Sequence, residues 1–351
     1  MVRNVIHFIN PYDPGRFPED LGISESKIIS LSSNENPLLP PDDVKEAYIR
    51  AFDRINRYPH PFYDDLKELI SEYVDVEKDM IAVGNGASEI LKMICEVNLE
   101  AFDKVIIPMP GYTMYIVFSM LMDASIRLVE FPEYKVDAGK IEDGKLIFLC
   151  SPNNPTGNSI PEREVRRILE SFSGLVVIDE AYAEFSKKSF LRLVDEFENL
   201  IVVRSFSKFF SMAGARVGYA VGNYETISAI EKVRLPFNIS YISVAVAKAC
   251  LDNLDYFIKV RDEIVREREW LYRELKKFDS LKVYPSDANF ILVRFDDLSD
   301  SQEVSRYFES KGIILRDVTG LIGLDGVHYR ITVGRREDNL KFLSALEKFL
   351  G

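Results

Sequence analysis

Residues 175–210 read LVVIDEAYAEFSKKSFLRLVDEFENLIVVRSFSKFF. Two apolar, β-branched runs, Leu175–Ile178 and Leu200–Val203, each end in a polar turn, DEAY and then SFSK, with a charged crossover between them. An apolar run that returns after a crossover reads as one strand of a parallel sheet covered on both faces. Similar runs extend the pattern upstream, at Ile81–Val83, Lys104–Pro108, Ile126–Phe131 and Leu146–Cys150, and downstream at Val217–Val221. Helical periodicity fills gaps at Ala87–Asn98, Tyr112–Asp123, Pro161–Phe172 and Tyr224–Val233. The third of these opens on a proline with acidic neighbours, a good helix start. The alternation predicts an α/β fold whose mainly parallel seven-stranded sheet is flanked by helices.

From Ile242 to Phe278 the pattern predicts one long helix, with opposite charges at three- and four-residue spacing around Arg261–Lys277. Strands at Leu281–Tyr284, Phe290–Phe295, Ile313–Leu315 and Tyr329–Val333, with helices near Ser301–Lys311 and Glu337–Leu350, then form a smaller α+β unit. The first 35 residues carry turn signals and little periodicity. The expected division is an arm at 1–35 packing with the small unit or a partner subunit, a large domain at 36–270 and a small domain at 271–351.

A chain of 351 residues, 47% hydrophobic and 28% charged, is long and apolar enough to bury a sizeable core. Its net charge of -12 argues against a nucleic-acid surface, and no stretch has the length of a membrane span. The amino terminus lacks the apolar core of a signal peptide. Cys95, Cys150 and Cys250 lie far apart without metal-ligand spacing, so a cytoplasmic location with reduced thiols is expected. His7, His60 and His328 fall in no motif, and no metal site is expected.

Five strand ends lead into polar turns: GNGASE (84–89), PGYTMY (110–115), SPNNPTG (151–157), DEAY (179–182) and SFSKFF (205–210). Loops at the carboxyl ends of parallel strands converge on one crevice, where ligands bind. Gly84 and Gly86 could begin a dinucleotide fingerprint, but Glu89 stands where its third glycine belongs. What remains is a helix start offering the N–H groups of Ala87 and Ser88 to an anion. A lone lysine is usually a solvated one. Lys208, however, follows a buried strand and is flanked by Phe206, Phe209 and Phe210, surroundings that depress an amine pKa and make it nucleophilic. Ser205, Ser207 and Arg216 form a set sized for a phosphate, and Asp179 offers a carboxylate at a strand end. Together these groups match the needs of pyridoxal phosphate held as a Schiff base.

The set NPTG (154–157), DEAY, SFSK and ARVGY (215–219), in this order and spacing, resembles the fold-type I pyridoxal-phosphate aminotransferases over nearly the whole chain. NENP (34–37), RYP (57–59), GNGASE, PGYTMY, VRLPFNIS (233–240), GIILRD (312–317) and YRITVGRRED (329–338) are similar to the histidinol-phosphate aminotransferases among them. The resemblance implies that Lys208 carries the cofactor and shuttles the substrate proton. It implies that Asp179 pairs with the pyridinium nitrogen, that Asn154 and Tyr182 bond the ring's phenolic oxygen and that Tyr112 stacks on the ring. Ala87, Ser88, Ser205, Ser207 and Arg216 would hold the phosphate. Tyr58 of a partner subunit would reach the same phosphate, with Tyr63 as a competitor, so the active site would be shared in a homodimer.

The same resemblance implies a role in histidine biosynthesis. L-histidinol phosphate and 2-oxoglutarate would give imidazole acetol phosphate and L-glutamate in a ping-pong cycle. Arg330 and Arg316 would receive phosphate in one half-reaction and carboxylate in the other, Tyr12 would contact the substrate phosphate, and Asn36 and Asn289 would line the pocket. Without the resemblance, both arginines read first as surface ion pairs in an acidic chain. A threonine-phosphate decarboxylase and an aromatic amino acid aminotransferase of the same superfamily remain open. Tyr182 and PGYTMY favour the aminotransferase over the first; the second stays possible because a pocket for an imidazole can admit other rings, although its substrates lack phosphate.

Overall fold

The computed structural model describes residues 1–24 and 27–351. In chain order its strands are β1 (Ile29–Leu31), β2 (Ile81–Gly84), β3 (Lys104–Met109), β4 (Ser125–Glu130), β5 (Leu146–Cys150), β6 (Leu175–Asp179), β7 (Leu200–Ser205), β8 (Gly218–Gly222), β9 (Leu281–Val283), β10 (Phe290–Phe295), β11 (Ile313–Asp317) and β12 (Val327–Thr332). The helices are α1 (Asp42–Phe52), α2 (Asp64–Val74), α3 (Ala87–Asn98), α4 (Met114–Leu121), α5 (Glu162–Ser171), α6 (Ala183–Ser186), α7 (Tyr224–Val233), α8 (Tyr241–Leu251), α9 (Leu254–Leu275), α10 (Ser301–Ser310) and α11 (Arg336–Leu350). None of them is long and apolar enough to cross a membrane.

Seven strands form one sheet in the order β2-β8-β7-β6-β5-β3-β4. Neighbours from β7 to β4 are parallel, and β8 runs antiparallel to both β7 and β2. The central strands are apolar throughout because both their faces are covered. Val176, Ile178 and Val202 face one core cluster, while Val177, Ile201 and Val203 face the other. Burying each such side chain contributes roughly 1.5–3 kcal/mol. Parallel register places Cys150 beside Asp179 and Asp179 beside Val203, so the turns after β5, β6 and β7 leave the sheet at one edge.

The second sheet has five strands in the order β1-β11-β12-β10-β9. Three features depart from the sequence pattern. Residues 29–31, expected in an irregular arm, form β1 and pair in parallel with Ile313–Leu315. Three residues are too few to show a period. The single helix expected over 242–278 is two, α8 and α9, because the backbone leaves helical geometry at Asn253 (φ −118°, ψ 32°). Asp252 and Asn253 are weak helix formers, while the apolar spacing continues across them. Helices α1 and α2 occupy a stretch with no assigned element. Residue 270 lies inside α9, which places Phe257 in the large sheet's core and Leu271 and Leu275 in the small sheet's.

Candidate active site

A cavity of about 510 Å³ opens between the carboxyl edge of the seven-stranded sheet and the five-stranded sheet. Its lining gathers Lys208, Asp179, Tyr182, Asn154, Tyr112, Ala87, Ser88, Ser205, Ser207 and Arg216, and adds Tyr12, Arg316 and Arg330.

Gly86, at φ +78°, turns the chain into α3 and leaves Ala87 and Ser88 at the helix start. A Cβ on Gly86 would meet Arg216 Nη2 at 2.5 Å, and one on Gly218 would meet the Ala87 nitrogen at 2.4 Å. The two glycines let β8, the α3 terminus and the Arg216 guanidinium close to contact distance. Arg216 Nη1 donates to Ser207 Oγ at 3.3 Å and to the Ala213 carbonyl at 3.1 Å, while Ser205 Oγ accepts from the Ser207 amide at 3.1 Å. Hydroxyls, a helix N-terminus and a guanidinium converge here, which suits a phosphate.

Lys208 extends from the loop after β7, and its Nζ donates to the Ser33 carbonyl at 2.8 Å. Burial lowers its pKa to about 7, with the Arg330 and Arg216 charges acting in the same direction and Glu35 opposing them. Asp179 is 5% exposed; its Oδ2 accepts from the Tyr115 hydroxyl at 2.7 Å and its Oδ1 from the Ala181 amide at 3.0 Å. Burial raises its pKa, and those two hydrogen bonds oppose the rise. The Tyr182 hydroxyl accepts from Asn34 Nδ2 at 3.0 Å, and burial keeps that phenol neutral. Tyr112 Oη lies 3.2 Å from Ser88 Oγ.

On the small sheet Arg316 and Arg330 are direct cross-strand partners. Arg330 Nη1 donates to Asn154 Oδ1 at 2.6 Å and Nη2 to the Ser32 carbonyl at 2.5 Å, but its buried Nε has no partner among the described residues. Arg316 Nη2 donates to the Asp13 carbonyl at 2.6 Å, and its buried Nη1 is likewise unpartnered. Burial and the adjacent Arg316 charge lower the Arg330 pKa. Two buried guanidinium donors beside a cavity call for an acceptor. The glycine-rich segment between these strands leaves Arg330 in register: Val318 N–H bonds the His328 carbonyl at 3.0 Å.

Two expected lining residues stand elsewhere. Asn36 turns its amide to the Lys208 and Phe209 carbonyls, both at 3.3 Å, and so braces the lysine loop from outside the cavity. Asn289 is fully buried behind the wall and donates to the Asn34 carbonyl at 3.0 Å. The resemblance implies both, but a resemblance does not show which way an amide turns. Tyr58 is 76% exposed and stacks on Phe237 at 4.4 Å, away from the cavity of its own chain. Tyr63 is 2% exposed, with its hydroxyl tied to Asn238 and Ile239. Sequence reasoning missed Ser33, Asn34 and Tyr115. Asn34 and Tyr115 lie within NENP and PGYTMY, and their polar groups were the available signal.

The donor set fits pyridoxal phosphate: a phosphate cradle, a near-neutral amine and a carboxylate share one cavity with a phenol neighbour. The chain matches the family model described as aminotransferase class I and II over residues 26–346. It is 52% identical to histidinol-phosphate aminotransferase 2 of Archaeoglobus fulgidus over 99% of this chain and 100% of the relative. Among solved structures it resembles the histidinol-phosphate aminotransferase of Sinorhizobium meliloti in complex with pyridoxal 5'-phosphate, with a TM-score of 0.87, 25% identity and 99% and 97% of the two chains covered. The Clostridium acetobutylicum histidinol-phosphate aminotransferase gives a TM-score of 0.85 at 28% identity, covering 92% of this chain and 98% of that one. The chain belongs to the class I and II aminotransferases and, within them, to the histidinol-phosphate aminotransferase family.

Proposed function

We propose that this chain transfers the amino group of L-histidinol phosphate to 2-oxoglutarate, giving imidazole acetol phosphate and L-glutamate, as a step of histidine biosynthesis. The observation that carries the reading is the cross-strand pair Arg316 and Arg330, two guanidinium groups that line the cavity that holds Lys208. One substrate offers a phosphate and the other a carboxylate, and a planar guanidinium accepts either.

When bound, pyridoxal phosphate supplies an aldehyde carbon that takes the amino group and a ring that takes up the electron pair left by the substrate Cα proton. Ser88, Ser205, Ser207, Arg216 and the Ala87 amide would hold its phosphate. Asp179 would bond the ring nitrogen and keep it protonated. Asn154 and Tyr182 would hold the phenolic oxygen, and Tyr112 would cover a ring face. Lys208 would carry the cofactor, and its Nζ would take up and return the proton at the substrate Cα. An amine with a pKa of about 7 suits both halves of that transfer. Tyr12, Arg316 and Arg330 orient the substrate anion.

The reading includes a homodimer. Tyr63 is committed to its own chain, which leaves the exposed Tyr58 to reach the phosphate of a second copy. The arm at 1–35, the large domain at 36–270 and the small domain at 271–351 remain the proposed division. The three free, buried cysteines suit a reducing cytoplasm.

Purified protein given histidinol phosphate, phenylalanine or threonine phosphate in turn, with 2-oxoglutarate consumption and carbon dioxide release both followed, tests the activity. Consumption is expected to be fastest with histidinol phosphate and without carbon dioxide. Release of carbon dioxide from threonine phosphate would replace this reading with the decarboxylase, and faster turnover of phenylalanine with the aromatic enzyme.

A further inference from the structure

Tyr115, in the first turn of α4, lies three residues after Tyr112 and is 2% exposed. Its ring is stacked on Phe148 of β5, with centroids 4.6 Å apart and planes within 4°, and it meets Tyr112 edge-on at 5.4 Å. These rings hold the phenol in place, with the Cys150 thiol as its other polar neighbour. Its hydroxyl ends 2.7 Å from Asp179 Oδ2.

The surroundings of Asp179 give that contact its meaning. Oδ1 accepts from the Ala181 amide and Oδ2 from Tyr115, so the carboxylate meets a donor on each oxygen. An ionised carboxylate satisfies both, whereas a protonated one would place its own hydrogen against a donor. The other titratable neighbours give no help. Glu180, next along the chain, repels the charge, and Cys150 on β5 directs its thiol to the Pro152 carbonyl at 3.3 Å. Burial keeps Tyr112, Tyr182 and Cys150 neutral. No cation forms an ion pair with Asp179 among the described residues. Burial therefore opposes the charge, and Tyr115 is the foremost group that favours it.

We propose that Tyr115 is a positioning residue that keeps Asp179 ionised and aimed at the cofactor's ring nitrogen, so that the electron-accepting ring stays protonated at neutral pH. This rests on the pyridoxal-phosphate reading of the cavity. Tyr115 acts through Asp179 and touches neither substrate nor reacting atoms. The same ring pair, Phe148 and Tyr115, also backs Tyr112, which ties the group over the ring face to the group at the ring nitrogen.

The test uses holoenzyme loaded with pyridoxal phosphate carrying 15N in its ring, whose chemical shift separates the protonated from the free nitrogen. In the unmodified protein the nitrogen is expected to be protonated across the neutral range. In Tyr115→Phe it is expected to lose its proton within that range, with kcat lower by about 10- to 100-fold and KM for both substrates little changed. Phe148→Leu loosens the stack but keeps the hydroxyl, and its ring nitrogen is expected to stay protonated. A Tyr115→Phe holoenzyme that keeps its ring nitrogen protonated overturns the proposal. So does a Phe148→Leu enzyme that loses it equally, since packing alone would then explain the effect. If Tyr115→Phe does not fold, Tyr115→3-fluorotyrosine keeps the contacts with a more acidic hydroxyl. It is expected to extend ring protonation to higher pH, and an unchanged titration overturns the proposal. An unmodified protein that shows no bound cofactor signal removes the cofactor reading itself, which is a distinct result.

Discussion

Arg204 Nε donates to Glu180 Oε2 at 2.7 Å, and each partner stands one residue from a cavity group, Ser205 on β7 and Asp179 on β6. Arg204 also reaches Glu184 Oε1 at 2.7 Å and Ser189 Oγ at 2.8 Å, while Glu180 Oε1 receives the Phe190 amide at 2.5 Å. Successive strand residues point to opposite faces, so this cluster lies behind the sheet from the phosphate cradle. It cross-links the two strand ends that carry the chemistry.

Replacing Arg204 with Met leaves two buried carboxylates without their cation. Breaking a buried pair in this way destabilises by about 3–5 kcal/mol. Urea unfolding of the cofactor-free protein should show the loss; an unchanged midpoint would mean that the pair contributes nothing net.

Lys208→Ala removes the only amine that lines the cavity among the described residues. Turnover should fall by at least about 10²–10⁴-fold, the range for losing a positioned proton carrier. Borohydride reduction of the holoenzyme followed by mass spectrometry should find the cofactor attached in the unmodified protein and absent from the variant. An active variant would sink the assignment.

Lys208 also sets a pH dependence. Folded, it binds its proton with a pKa of about 7; unfolded, it does so near its ordinary value of about 10.4. Between those values the unfolded chain holds more protons, so the stability of the cofactor-free protein rises with pH, by at most about 1.4 kcal/mol per unit. Below about pH 7 both states are protonated and the burial penalty is fully present. Lys208→Met should therefore exceed the parent in stability at acidic pH and lose that advantage as pH rises through the window. A gap independent of pH would contradict the assigned shift.

Arg330→Gln should raise KM for both histidinol phosphate and glutamate by about 10- to 150-fold, the worth of a hydrogen bond to a charged group. Steady-state kinetics of each half-reaction measure it. A loss confined to one substrate would separate the two anion sites.

Tyr58 can be tested by mixing. Lys208→Ala and Tyr58→Ala chains should each be impaired alone. If Tyr58 serves the partner's site, mixed dimers recover activity, because one of their two sites then has both residues intact. No recovery on subunit exchange would place Tyr58 in its own chain's site or outside any site.

Much of this was legible in the residues. Strands β5, β6 and β7 could be placed because burial on both faces leaves no polar interruption, and their carboxyl ends located the crevice. Lys208 stood out because three phenylalanines surround it. Less local features were hidden. β1 exists because Ile313–Leu315 provides a partner strand, and three residues carry no period of their own. The role of Asn34 depends on Thr332, whose Oγ1 accepts from its amide at 2.9 Å, and on Asn289, far along the chain. Asn36 and Asn289 had suitable side chains for a pocket, but their neighbours turned them away from it. The break at Asn253 was masked because an apolar stripe runs on across a change of backbone direction.

The parallel pairing of β1 with β11 also sets an order of assembly. The seven-stranded sheet has all its strands once residue 222 has been made and its buried core residues by Phe257, so its core can close while synthesis continues. The five-stranded sheet cannot take its final order until β12 has emerged, and residues 29–31 must remain unpaired until β11 has. The wall formed by Ser32, Ser33 and Arg330 is therefore among the last parts to close. A ribosome-bound chain can shape the phosphate cradle before it has the two arginines, Arg316 and Arg330, that receive the substrate anion.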